Sequence, residues 1–147
     1  MADPKLNRLS NNERTGDFDI VAVFDYNAIA DNVSTGVEIG QIPAGGGVEM
    51  AVVYEATALA GTDVDDITLD VGTTSADPDE FIDALDVDGM TAPVGNTGDA
   101  FTGNQNQPVG LTNTAQSILA EFNGNTAGLT AGEVVIGIKL VDLGRFA

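Results

Sequence analysis

The chain has 147 residues, 23 acidic against 5 basic side chains, no histidine and no cysteine, for a formal net charge of −18. That balance makes it a poor ligand for nucleic acid or an anionic membrane. It also removes disulfides, thiolate metal sites and every Ser-His-Asp or Cys-His catalytic arrangement. The length fits a single domain with a real core, built from Val, Ile, Leu and Ala because aromatics are only 5%.

No apolar run reaches membrane-spanning length, and the amino terminus shows no signal-peptide core, so a standard secretory route is not expected. The basic residues sit at the two ends: Lys5, Arg8 and Arg14, then Lys139 and Arg145. Between Thr15 and Ile138 the body is uniformly acidic or neutral. Such a body stays soluble, and a salty medium would screen its self-repulsion over ~3–10 Å.

Residues 1–16 read as an extended, mobile arm, and 17–147 as the folded domain. Leu6 and Leu9 are isolated among polar residues, and burying two leucines at ~1.5–3 kcal/mol each does not offset the backbone entropy of ordering the segment. Such an arm would order on a partner, with Lys5, Arg8 and Arg14 as its partner-binding groups.

Asp17 to Phe24 alternates as a strand, with Phe18, Ile20, Ala22 and Phe24 on one side. Tyr26 to Asp31 reads as an irregular connection. Val33 to Ile42 predicts a second strand, ended by the Pro43-Ala44-Gly45-Gly46-Gly47 turn. In Val48 to Leu59 the apolar content also fits a helix, but Val52, Val53, Tyr54 and Thr57 favour a strand.

Ile67, Leu69 and Val71 alternate with Thr68 and Asp70 in a half-buried strand that ends at Gly72. A short helix is predicted next. Asp77 suits its N-cap, Pro78 the first position and Glu80 the third, and Phe81, Ile82 and Leu85 fall on one face. Val87 to Val94 is a weak strand, and Gly95 to Gln107 a long Gly- and Asn-rich loop. Pro108 to Leu111 could form a short strand, and Ala115 to Phe122 alternates as a longer one. Glu133 to Leu143 is the strongest strand. Val134, Ile136, Ile138 and Leu140 face one way and Val135, Gly137, Lys139 and Val141 the other, so both sides are expected to be covered. Seven to nine strands with one short helix make the chain all-β, a β-sandwich of jelly-roll or Greek-key type.

Two chemistries remain open. A carboxylate pair could hydrolyse glycosides, but there is no Trp, and only Tyr26 and Tyr54 are present to stack on sugar rings; no enzyme is expected. The acidic turn of Asp63, Asp65 and Asp66 offers hard oxygen ligands for Ca²⁺, as a metal site or as an ordinary solvated turn. The acids around Asp77 match no EF-hand loop and serve equally as helix caps. No other cofactor is implied.

Four ordered segments carry a likeness: Val37-Glu-Ile-Gly-Gln-Ile-Pro-Ala-Gly-Gly-Gly-Val-Glu-Met, Ile67-Thr-Leu-Asp-Val-Gly, Asp77-Pro-Asp-Glu-Phe-Ile-Asp-Ala, and Leu129-Thr-Ala-Gly-Glu-Val-Val-Ile-Gly-Ile. From Thr35 to Val141 this order resembles the small jelly-roll decoration, or cement, proteins on capsids of tailed bacteriophages. The resemblance implies a structural virion protein on the outer capsid surface, seated at junctions between major capsid subunits. It implies the major capsid protein and sister copies as partners, usually in a homotrimer, with a terminal arm reaching a neighbour. The acidity departs from the pattern, and would call for a basic shell surface or a salty medium. Other readings of the same sandwich are a Ca²⁺-dependent binding module of a surface or adhesive protein, and a tail or fibre accessory domain.

Overall fold

A computed structural model describes residues 4–8, 18–73, 78–102 and 108–144. The strands are β1 (Lys5–Arg8), β2 (Ile20–Asp25), β3 (Val37–Ile42), β4 (Gly46–Gly61), β5 (Asp65–Thr73), β6 (Ile82–Asp86), β7 (Val94–Gly95), β8 (Gln116–Asn125) and β9 (Leu129–Asp142). Sheet A has the order β1-β2-β9-β4-β7 and sheet B the order β3-β8-β5-β6.

The topology follows from nested antiparallel pairs. β5 pairs β6, β4 pairs β7, β3 pairs β8 and β2 pairs β9. Successive pairs alternate between the sheets, so one long hairpin is folded over on itself as a jelly roll. The expected β-sandwich is therefore what the chain forms.

Alternation supplies the core. Ile20, Ala22 and Phe24 of β2, Val134, Ile136 and Ile138 of β9, and Ala51 and Val53 of β4 face inward from sheet A. Ile67, Leu69 and Val71 of β5 and Ile118, Ala120 and Phe122 of β8 meet them from sheet B. Phe24 and Phe122 join the layers edge to face, with ring centroids 5.0 Å apart, a geometry aromatic pairs favour.

The one α-helix among the described residues is not where the sequence places it. Residues 78–81 form a turn, and Ile82 to Asp86 is β6, not the second half of a helix. Asp77, the expected cap, lies outside the described residues. Phe81, Ile82 and Leu85 fit a helical stripe, yet they fit equally a strand with a bulge. Ile82 pairs with Val71 and Leu85 with Leu69, across a register shift that leaves Ala84 at φ 41°. Phe81 N–H donates to Val71 C=O at 2.8 Å, and Ala84 N–H to Asp70 Oδ1 at 2.6 Å. Pairing with β5 outweighs the local helix signals.

The helix, α1, instead spans Tyr26–Asp31, where the sequence reads an irregular connection. Asp25 caps it by accepting from Ala28 N–H at 2.8 Å, and Ala28 and Ile29 enter the core. Asn32 closes it, donating from Nδ2 to Ala28 C=O. The expected strand over Val87 to Val94 reduces to the two residues of β7, and that over Pro108 to Leu111 to one bridge, Val109 to Val48. The loop after Gly95 holds a 3-10 turn at Asp99–Phe101 that buries the Phe101 ring against Phe81.

Within the segment set aside as an arm, Lys5–Arg8 runs antiparallel to β2 at the edge of sheet A, with Lys5 opposite Val23 and Arg8 opposite Ile20. Counting buried leucines leaves out this contribution, because an edge strand is held by main-chain hydrogen bonds.

Candidate interaction surface

Period-2 alternation that sends one set of side chains into the core sends the other to the outside of each sheet. The two outer faces differ in chemistry. On sheet B, Asp70 lies directly opposite Glu121, and Thr68 opposite Asp86 and Asn123. Glu38 and Gln41 of β3 join this face beside Leu119 and Ser117 of β8. Glu38 Oε1 accepts from Ser117 Oγ and, at 3.3 Å, from Gln41 Nε2. No lysine or arginine stands on these four strands.

Like charges directly opposite each other destabilise a sheet, and the carboxyls register it. Asp70 is pushed above the ordinary carboxylate range, first by burial and then by Asp79, Asp83 and Glu121, against the hydrogen bond from Ala84 N–H. Glu80, between the sheets' ends, is raised by burial and by Asp99, partly offset by the hydroxyl of Thr73, which donates to it at 3.1 Å.

Sheet A's outer face is apolar at its centre. Tyr54, Val135 and Val23 lie side by side across β4, β9 and β2, and Val52, Gly137 and Val21 form the next row. Tyr54 is 46% exposed, one of the few large apolar side chains left in solvent. Gly137 has no side chain because the Phe18 ring lies over it; a Cβ there would stand 2.9 Å from that ring. Both signs of charge rim the face: Lys139 Nζ is 3.5 Å from Glu49 Oε1, with side chains 33% and 43% exposed, and Lys5 is exposed opposite Val23.

A second apolar feature lies at one end of the sandwich. The turn before β4, the segment before β8 and the end of β9 enclose an open cleft of about 520 Å³, lined by Gly45, Leu111, Thr112, Asn113, Leu143 and Gly144. Leu111 and Leu143 are 60% and 58% exposed there. Gly45 has φ 79°, and a Cβ on it would meet the Gly144 backbone at 2.8 Å, so the tight approach of these two turns requires glycine.

The opposite end gathers the acidic turns. Asp88 is raised by burial, then by Glu55, Asp86 and Asp65. Glu55 itself is buried, its Oε2 accepting from Leu59 N–H at 2.9 Å and Gly89 N–H at 3.4 Å, which ties β4 to the turn after β6. Asp63, Asp65 and Asp66, the sequence's metal candidates, are exposed at this end. Asp63 and Asp66 take positive φ of 55° and 52° where the chain turns into β5. Asn125 Nδ2 donates to Asp63 C=O, so this backbone is spent on the turn. Among the described residues, no three His, Cys, Asp or Glu side chains converge as a metal site requires. Of the partner-binding candidates, Lys5 and Arg8 lie on β1 and Arg14 lies outside the described residues.

The apolar outer face of sheet A was hidden in the sequence. Its one signal is β9, apolar on both sides. The neighbours that extend Val135 into a patch come from β2 and β4, far away in the chain.

No protein-family model matches this chain. No curated protein matches it either. Among solved structures, a chain described as "Cyanophage Pam1 capsid asymmetric unit" superposes with a TM-score of 0.58 at 14% identity, over 80% of this chain and 79% of that one. A chain of "Capsid of Ralstonia phage GP4" gives 0.53 at 19% identity, over 88% and 87%. At such identities the likeness is one of fold: two chains from phage capsid structures share this sandwich over most of their length.

Proposed function

We propose that this chain is a non-enzymatic structural protein of a bacteriophage virion, seated on the outer capsid surface at junctions between major capsid subunits, where it stabilises the shell as a decoration protein. The observation that carries the reading is the match in fold, over most of both chains, to proteins from two phage capsid structures. The ordered motifs from Thr35 to Val141 support it, as does a surface given over to charged and apolar faces rather than to an enclosed site. Sister copies act together as a cluster, a homotrimer by resemblance. The segment 1–16, with Lys5, Arg8 and Arg14, contacts the shell or a neighbour from the edge of sheet A, where Lys5–Arg8 pairs with β2, while 17–147 forms the body. Each exposed ion pair on such an arm contributes only ~0–1 kcal/mol, but several arms in one cluster raise avidity by ~10²–10⁴.

The test is co-sedimentation of the purified protein with capsids of the source virus stripped of it, followed by cryo-electron microscopy of the complex. Saturable density on the outer surface at subunit junctions is expected. Failure to bind stripped shells, or binding that follows Ca²⁺ or a glycan instead, overturns the reading. Deleting residues 1–14 should leave the body folded while lowering occupancy; unchanged occupancy removes the anchoring role from the arm.

A further inference from the structure

We propose that the outer face of sheet A is the surface through which one copy of this chain packs against another. The inference deepens the proposed function, resting on it only for the existence of a cluster, and it names the face that holds the cluster together.

Charge narrows the choice of surface. Two bodies of formal charge −18 can approach closely only where the facing groups are neutral or complementary. Sheet B's outer face, with Asp70 opposite Glu121 and Glu38 nearby, would set carboxylates against carboxylates. Sheet A's outer face presents Tyr54, Val135 and Val23 in one row and Phe18 over Gly137 in the next. Its rim carries the cations Lys139 and Lys5, which the strands of sheet B lack, together with Glu49 and the facing pair Asp25 and Glu133. A surface that must complement itself needs both signs in one patch, and this face has them. Tyr54 also has the character of an interface anchor: a large, rigid aromatic with a polar tip.

The sequence that leads into Phe18 offers little apolar surface as an alternative cover. Residues 9–17, which lead into Phe18, read Leu-Ser-Asn-Asn-Glu-Arg-Thr-Gly-Asp, with one apolar side chain to set against two apolar rows.

Sedimentation velocity of the full chain without capsids, at about 0.01 and about 0.5 M NaCl, tests the proposal, since salt screens the outlying acids and leaves the apolar contact. Association is expected at the higher salt. Tyr54→Glu should weaken it at least ~10-fold, as loss of a central interface aromatic does. Glu121→Gln, on sheet B, should leave it intact. Circular dichroism confirms folding, and Tyr54→Ser serves if the charged variant does not fold.

A wild type that stays monomeric at both salts overturns the proposal, and if it still saturates stripped shells, the proposed function stands without it. Unchanged association in both Tyr54 variants overturns it as well. Loss of shell binding with self-association intact would assign the face to the shell. Association that appears only after residues 1–17 are deleted would assign the cover to the chain's own segment. Either result overturns the proposal.

Discussion

The outer faces of the two sheets are made by the same strand alternation around one shared core, and they end with opposite chemistry. On sheet B the outward positions of β3, β5, β6 and β8 include Glu38, Asp70, Asp83 and Glu121, with hydroxyls, amides and the half-buried Leu119 between them. On sheet A the outward positions of β2, β4 and β9 carry Val21, Val23, Val52, Tyr54 and Val135 at the centre, with Asp25 opposite Glu133 towards one end and Lys139 beside Glu49 towards the other. Nothing in folding requires this division, since either face could have been polar. An isolated sandwich would gain solubility from acids on both sides. On the acidic face Asp70 is raised chiefly by burial, with smaller contributions from the neighbouring Asp79, Asp83 and Glu121, and the apolar face accepts exposure. The two outer faces therefore differ by sheet, one crowded with carboxylates and without a cation, the other apolar at its centre with charges of both signs around it.

The largest effect should come from the interior that both faces share. Phe24→Ala removes a fully buried ring that contacts Phe122 across the layers, and it should cost ~3–5 kcal/mol in urea denaturation. A loss below ~1 kcal/mol would mean that the sheets are not coupled through this pair. Next in size is crowding on sheet A's face. Gly137→Val would drive a side chain into the Phe18 ring and should cost ~1–3 kcal/mol. Phe18→Ala in the same chain should recover part of that loss; if it recovers none, the ring does not cover Gly137.

Capping gives a smaller effect, at the end of β2 where the chain enters α1. Asp25→Ala should cost ~0.5–2 kcal/mol, read as a shift in denaturation midpoint. A negligible change would show that α1 is held by Ala28 and Ile29 alone. The faces themselves should respond in opposite senses. Glu121→Gln relieves its repulsion of Asp70 and should stabilise by ~0.2–1 kcal/mol. Lys139→Ala breaks the pair with Glu49 and should cost ~0–1 kcal/mol. Destabilisation by Glu121→Gln would contradict the picture of a self-repelling face.

Acidification addresses the same strain with no mutation. Asp70, Glu80 and Asp88 all lie above their ordinary values, so the folded chain holds their protons more tightly than the unfolded chain does. Their contribution is fully present below the unfolded values near ~4 and is lost as pH rises through the folded ones. The melting temperature should therefore rise on going from neutral pH toward about 5, with Asp70 and Glu80 contributing more than the solvent-exposed Asp88. A monotonic fall over that window would mean that favourable carboxylate contacts, not repulsion, dominate the native charge.

The sequence by itself determined the all-β class, the inward set of each strong strand and the acidity of the surface. Period 2 over Ile67 to Val71, Ile118 to Phe122 and Val134 to Ile138 is a local property, readable without knowing any partner. Tertiary structure decided the fate of Phe81 to Leu85, where capping signals and helical spacing lost to β5, because Val71 and Leu69 offer a bulged strand both main-chain pairing and burial. It decided that Tyr26 to Asp31 winds into a helix, since Ala28 and Ile29 are buried in the core to which β2 and β9 also contribute, a surface that local sequence does not show. It decided that Lys5–Arg8 has an edge to join. Above all, it assembled the apolar face. Val23, Tyr54 and Val135 are unremarkable surface residues on three separate strands, and only antiparallel register, which depends on contacts between distant parts of the chain, sets them side by side.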